Sequence, residues 1–201
     1  MPSARHATLA DVEPLGPVLA DAFASDPLWQ WVVAEQDRWE RRAPAMFTHE
    51  VEGRLRTGHA YTTDDLAGVA LWAPPGFWRP RLTELLRSLL PMVRLTGLAG
   101  GMRGLRFLGA MERAHPAADH WYLALLGTDP AHQGGGVGSA LIKPVVDRCD
   151  QDGTGAYLES SDPSNVAFYE GHGFRVTGEI TAGGSPPVHL MWRDPIVPDD
   201  A

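Results

Sequence analysis

The 201-residue chain carries one cysteine, seven tryptophans and a formal net charge of −8. One cysteine excludes an internal disulfide and a cysteine-rich zinc site, so no metal is expected, and the acidic balance argues against the basic footprint that nucleic-acid binding needs. No run of about 18 apolar residues offers a transmembrane helix, and Met1 to Asp11 lacks the charged start and apolar stretch of a signal peptide, so a single cytoplasmic domain with no nucleic-acid or membrane partner is expected, as a monomer or homodimer.

A short first strand is predicted from Arg5 to Thr8. Thr8 and Asp11 have capping-box spacing, and Val12, Leu15, Leu19 and Phe23 recur at helical period, which predicts a helix to about Ala24. Asp26-Pro27 breaks it, and a second helix is predicted from Arg38 to Arg56. Residues 60–63 and 66–72 read as a hairpin closed by Pro74-Pro75-Gly76. Leu82, Leu85, Leu86, Leu89 and Leu90 then form an amphipathic stripe. Pro91 and Gly100-Gly101 are expected to interrupt it before a further helix over 102–113. Seven Arg against two Glu between Arg79 and Arg113 leave this segment at +5 and the rest of the chain at −13. It reads either as a solvated face or as a basic flank near an anionic ligand.

Trp121 to Thr128 is an apolar run of strand length, Gly136 to about Asp150 a helix that Pro144 should kink, and Ala156 to Ser160 a short strand. Asn165 to Glu170 reads as a short helix, and Val188 to Trp192 as a last strand. Strands alternating with helices predict an α/β fold on a mixed sheet.

The chemistry-bearing segment runs from Thr128 through Gln133, Gly134, Gly135, Gly136, Val137, Gly138 and Ser139 to Ile142. A strand enters a glycine-rich turn that opens a helix, and such a turn lets successive N–H groups converge on an anion, with a pyrophosphate the natural ligand. The Lys-Ser or Lys-Thr of a P-loop is absent, and Leu141 stands where a dinucleotide fingerprint needs a small residue.

The pattern Gln133-x-x-Gly136-x-Gly138 resembles the acetyl-CoA pyrophosphate loop of GCN5-related N-acetyltransferases (GNAT). Asn165 to Phe174, with Tyr169 between, resembles the second conserved segment of that superfamily. Within it, Trp121 to Pro130, Gly138-Ser139-Ala140 with Pro144, Tyr157 to Ser161 and Met191 to Arg193 look like the puromycin N-acetyltransferase group and its bacterial relatives, from about Arg5 to Arg193 and densest after Ala118.

The resemblance implies the GNAT fold: a mixed, mostly antiparallel sheet flanked by helices, here with a helical insert at about 77–116 before the cofactor-binding strand. It implies acetyl-CoA as cofactor and direct transfer to an amine. Leu126, Gly127 and Thr128 would pair with the pantetheine arm, with a backbone N–H of that strand at the oxyanion, and Gln133 to Ser139 would hold the pyrophosphate. Asn165 would touch the CoA arm, and Tyr169 would protonate the departing thiolate; a core tyrosine is the plain alternative. Glu159, a carboxylate in an otherwise apolar strand, is the candidate base or ammonium anchor, with His120 and His172 as alternatives. His132 reads as exposed, and Cys149 as a structural thiol. Asp26 and Trp29, with Trp31, fall where relatives build the acceptor pocket, and a carboxylate among aromatics suits a cationic amine.

The expected activity is N-acetylation of a small-molecule amine, such as an aminonucleoside or antibiotic-like amine. A protein or peptide acceptor, or a CoA-binding module without catalysis, are the alternatives. The insert is expected to cover the acceptor site and so favour small acceptors.

Overall fold

The computed structural model describes residues 2–56 and 59–196. Its centre is a seven-stranded sheet formed by β1 (Ala4–His6), β2 (Ala60–Thr63), β3 (Gly68–Ala73), β4 (His120–Thr128), β5 (Gly155–Ser160), β6 (Arg175–Ile180) and β7 (Val188–Arg193). The order is β1-β2-β3-β4-β5-β7-β6, and every neighbouring pair is antiparallel except β4 with β5. The mixed, mostly antiparallel sheet is thus as expected.

β3 is buried along its whole length, so it reads as a continuous apolar run between two helical layers. On one side α1 (Val12–Ala22) and α3 (Gln36–Leu55) pack Leu15, Leu19, Phe47 and Val51 against Val69 and Leu71. On the other, α5 (Val137–Asp152) packs Leu141, Ile142 and Val145 against Ala70, Trp72 and Leu123. Cys149 is buried here with its thiol pushed up to about 12 by burial, so it stays protonated and inert.

The capping box at Thr8 and Asp11 is present, with Thr8 N–H donating to Asp11 Oδ2 at 2.7 Å, but the first turn, Leu9–Asp11, is 3₁₀ and α1 starts at Val12. The hairpin's second strand begins at Gly68, because Leu66 occupies a left-handed turn at φ 57°. Two elements escape the periodicity argument. The six-residue α2 (Pro27–Val32) is too short to show a helical stripe, and the burial of β6 does not alternate.

The insert forms α4 (Leu82–Ala114), broken at Gly97, whose φ of 63° and ψ of −179° are non-helical. The expected breaks at Pro91 and Gly100-Gly101 do not occur: both lie within helical stretches on either side of Gly97. Gly100 serves packing instead, since a Cβ there would stand 2.3 Å from the carbonyl oxygen of Val32. Pro144 likewise sits inside a continuous α5. Between α5 and β7 lies α6 (Val166–Glu170).

Candidate active site

The parallel pairing of β4 with β5 runs only from His120 opposite Gly155 to Leu123 opposite Leu158. Beyond it the strands part, leaving the β4 edge from residue 124 to 128 without a ladder partner on that side among the described residues. The parting coincides with a bulge: Leu71 pairs with Leu125 and Trp72 with Leu123, so Ala124 is the extra residue. A bulge bends its strand and turns backbone groups out of the ladder, which is why bulges gather beside active sites.

Two cavities open at this parting. The first, of about 490 Å³, is lined by Leu126, Gly127 and Thr128 of β4, by Gln133, Gly134, Gly136, Val137, Gly138 and Ser139, and by Asn165 and Tyr169. The residues expected to hold acetyl-CoA line this cavity apart from Gly135, and His132, half-exposed and 3.7 Å from Asp129, lines it as well.

The loop has the geometry of an anion cradle. Gly134 and Gly136 have φ of 74° and 82°, and Gly136 caps α5, so the N-terminus of a 16-residue helix points into the cavity mouth. At Gly138 a Cβ would meet the Phe168 ring at 3.0 Å. Only glycine lets the backbone approach so closely, and residues of this kind fit a pyrophosphate. The open edge at Leu126 to Thr128 fits the amides of an extended arm, by the physics of strand addition.

The second cavity, about 410 Å³, lies on the other side of the parting. It is lined by Asp26, Leu28, Trp29 and Val32 around α2, by Glu50 and Arg54 of α3, by Leu89, Val93, Leu105 and Leu108 of α4, and by Tyr122 and Glu159. The insert therefore forms one wall of this cavity. Asp26, Leu126, Asn165 and Tyr169 line both cavities, so they stand where the contents of the two would meet.

Asp26 is buried at the N-cap of α2, where Oδ1 accepts from Trp29 N–H at 2.9 Å and Oδ2 accepts from the Ser161 hydroxyl. Burial raises its pKa, opposed by those hydrogen bonds. Tyr169 is buried against Phe168 and Phe174, and burial together with the Asp26 charge holds its hydroxyl protonated well above the ordinary value. The Glu159 side chain is 5% exposed, and its Oε1 is buried without a hydrogen-bond partner among the described residues. The phenols of Tyr122 and Tyr157 beside it are raised by burial and by its charge. Glu50 is also raised by burial.

Of the other expected residues, Trp29 lines the second cavity while packing edge-on to Trp39 and Phe47. Trp31 lines neither cavity and packs against Phe107 instead. His172 hydrogen-bonds the Phe168 carbonyl at 2.8 Å and lines neither cavity. His120 is buried behind Glu159, and its Nε2 lies 3.0 Å from Nε2 of His115. His115, which no spacing in the sequence singles out, approaches Glu159 Oε1 at 3.5 Å. Among the described residues no cluster of His, Cys, Asp and Glu could hold a metal ion, and no helix is long and apolar enough to cross a membrane.

A glycine cradle at a helix N-terminus, an open strand edge at a bulge and a second cavity meeting the first describe a two-substrate transferase for a pyrophosphate-bearing donor. The family model described as acetyltransferase (GNAT) domain matches residues 103–188. An uncharacterized N-acetyltransferase of Schizosaccharomyces pombe is 28% identical over 208 positions, covering 96% of this chain and 83% of its own. A Corynebacterium glutamicum structure described as histone acetyltransferase HPA2 and related acetyltransferase superposes with a TM-score of 0.74 at 26% identity, over 98% of both chains. A Drosophila melanogaster polyamine N-acetyltransferase shares the fold at a TM-score of 0.64 and 12% identity, over 96% of this chain and all of its own. These matches support membership of the GNAT superfamily, and with it an acyltransferase of the N-acetyltransferase kind.

Proposed function

We propose that the protein acetylates the primary amine of a small molecule with an apolar body, taking the acetyl group from acetyl-CoA. The observation that carries the acceptor class is the second cavity: leucines, aromatics and methionines form its walls, while Asp26, Glu50, Glu159 and Arg54 are charged residues of its lining. A cavity with apolar walls and convergent carboxylates suits an ammonium on a hydrophobic body. Its bounded size and the α4 wall favour a small acceptor over a protein chain, and one domain carries the whole reaction.

Bound in the first cavity, acetyl-CoA would supply the acyl group as a thioester. Gln133 to Ser139 would hold its pyrophosphate through backbone N–H groups, while Leu126 to Thr128 would orient the arm. Holding both substrates at the parting of β4 and β5 supplies much of the rate by positioning. Both Asp26 oxygens are engaged by Trp29 and Ser161, so Asp26 is held in a fixed position at the junction of the two cavities. Glu159 has the free lone pair and takes the ammonium proton. The protonated Tyr169 hydroxyl, at the junction of both cavities, donates to the leaving sulfur.

The test is a screen of amines at fixed acetyl-CoA, with free thiol as readout. Arylalkyl and alkyl primary amines should be acetylated in preference to polyamines and to peptides carrying a free amine. A peptide preferred by tenfold or more in kcat/KM would overturn the acceptor class. Glu159→Gln should lose about 10²–10⁴-fold in kcat at pH 7, the range of a general base, with acetyl-CoA affinity unchanged.

A further inference from the structure

We propose that Glu159, His115 and His120 form a proton relay with room for one proton, and that the proton shed by the acceptor ammonium fills it. The proposal rests on the acetyltransferase reading for its purpose. The relay itself follows from the geometry of four groups in a line.

At the far end His120 Nδ1 lies 2.7 Å from the Ala118 carbonyl oxygen. A carbonyl only accepts, so this nitrogen carries a hydrogen. His120 Nε2 faces His115 Nε2 at 3.0 Å, a hydrogen-bond distance that requires one hydrogen between the two nitrogens. His115 Nδ1 then faces Glu159 Oε1 at 3.5 Å, with no hydrogen bond formed. Two neutral imidazoles carry one hydrogen each. One is committed to Ala118 and the other to the gap between the rings, so nothing remains for the gap between His115 and Glu159. Two lone pairs face each other there, across the longest separation in the line. One added proton fills that gap and takes the line from a net charge of −1 to 0.

The surroundings shield the line from water. The side chains of His115 and Glu159 are 3% and 5% exposed, and His120 is buried. Trp78 stacks on His115 at 3.6 Å, and Tyr122 and Tyr157 meet its ring edge-on at 5.0 and 4.9 Å while their phenols face Glu159, where burial and its charge raise the pKa of both. Trp192 closes the far side of His120. The charged neighbours are Asp119 beside His120, Arg54 from α3 toward Tyr122, and Arg79, which sits over Trp78 and pairs with Glu112. Burial lowers the His120 pKa, and the His115 ring adds to that, while Ala118, Glu159 and Asp119 oppose it.

The balance of the reaction leaves one proton for this device. An ammonium and a thioester give an amide, a free thiol and one proton: the N–C bond forms, the C–S bond breaks, and one N–H proton ends on sulfur. The other passes to Glu159 Oε1 and is shared with His115 Nδ1, while the hydrogen between the rings can move to His120 Nε2. The relay returns the proton through Glu159 when product leaves and water enters the cavity.

The test is an NMR titration of the imidazole nitrogens in the substrate-free protein, alongside kinetics. Glu159→Gln removes the negative charge at the end of the line and should lower the apparent pKa of His120. Glu159→Asp keeps the charge but widens the gap, and should give a smaller shift in the same direction. In kinetics, His115→Phe should move the acid limb of the kcat/KM profile down, from the imidazole range toward the carboxylate range. Its kcat at pH 7 should fall at least about tenfold, within what general-base catalysis contributes, with acetyl-CoA affinity within about twofold. Imidazole titrations that ignore both Glu159 variants, or a His115→Phe profile with an unmoved acid limb, would overturn the relay. If no amine is acetylated by the wild type, the functional reading falls, while the titrations still decide the relay.

Discussion

Replacing Gly136 by alanine isolates one contribution of the cradle. Gly136 has φ of 82° and ψ of 9°, and among the described residues a Cβ there finds Pro2 Cγ at 3.9 Å and nothing nearer. The substitution therefore brings backbone strain without a clash. An L-residue in the left-handed region costs roughly 1–2 kcal/mol. The loop is exposed, so it can relieve that strain by leaving the conformation that converges its N–H groups. Acetyl-CoA affinity should then weaken by about 5- to 30-fold, since 1.4 kcal/mol is tenfold. If the loop is held instead, the same energy appears as lost stability. Calorimetric titration with acetyl-CoA and a thermal melt together capture both routes. Gly53→Ala is the control: it also has open space around its Cβ, but lies in α3 with no positive φ. There alanine should add about 0.5–1 kcal/mol of stability and leave affinity alone. If Gly136→Ala matched Gly53→Ala in both measurements, the cradle argument would be wrong.

Tyr169→Phe keeps the buried ring and removes the hydroxyl, so kcat should fall about 10²–10⁴-fold with acetyl-CoA affinity little changed; a loss under about tenfold would make Tyr169 a packing residue. Leu105→Asp, exposed on the α4 wall of the acceptor cavity, should raise KM for apolar amines without lowering the melting temperature, and an unchanged KM would remove that wall from the acceptor site. Arg193 is buried, and its two terminal nitrogens bond both Asp150 oxygens at 2.8 Å, so Arg193→Met should cost up to about 3 kcal/mol, read by urea denaturation. The Arg193 hydrogen bond also depresses the Asp150 pKa, and a carboxylate depressed in the folded state stabilises above its unfolded value, near ~3.9, and loses that contribution as pH falls through the folded value. The wild type should therefore lose more stability than Arg193→Met between pH ~5 and pH ~2, and parallel losses would show that the pair does not titrate with folding.

The order and kind of most elements were legible in the sequence because their causes are local. A capping acid three residues after Thr8, leucines at helical spacing and a glycine-rich turn after an apolar strand each act within a few residues. The same locality made Gln133 to Ser139 and Asn165 to Tyr169 stand out, and the fold brings both segments to one cavity. What the sequence left ambiguous depends on distant contacts. Gly97 and Gly100 look alike in the chain. Gly97 breaks the helix through its backbone angles, while Gly100 makes room for the Val32 carbonyl, a neighbour 68 positions away. Glu159 is an unusual acid in an apolar strand by sequence alone. Its unpartnered oxygen, and the two imidazoles behind it, come from the end of the insert and the start of β4. Asp26 reads as a helix breaker beside proline, and becomes a buried charge between two cavities only because Ser161, 135 residues on, closes over it. Periodicity and capping are set by neighbours along the chain. The protonation and exposure of a side chain are set by neighbours in space, which only the packed sheet and its insert bring together.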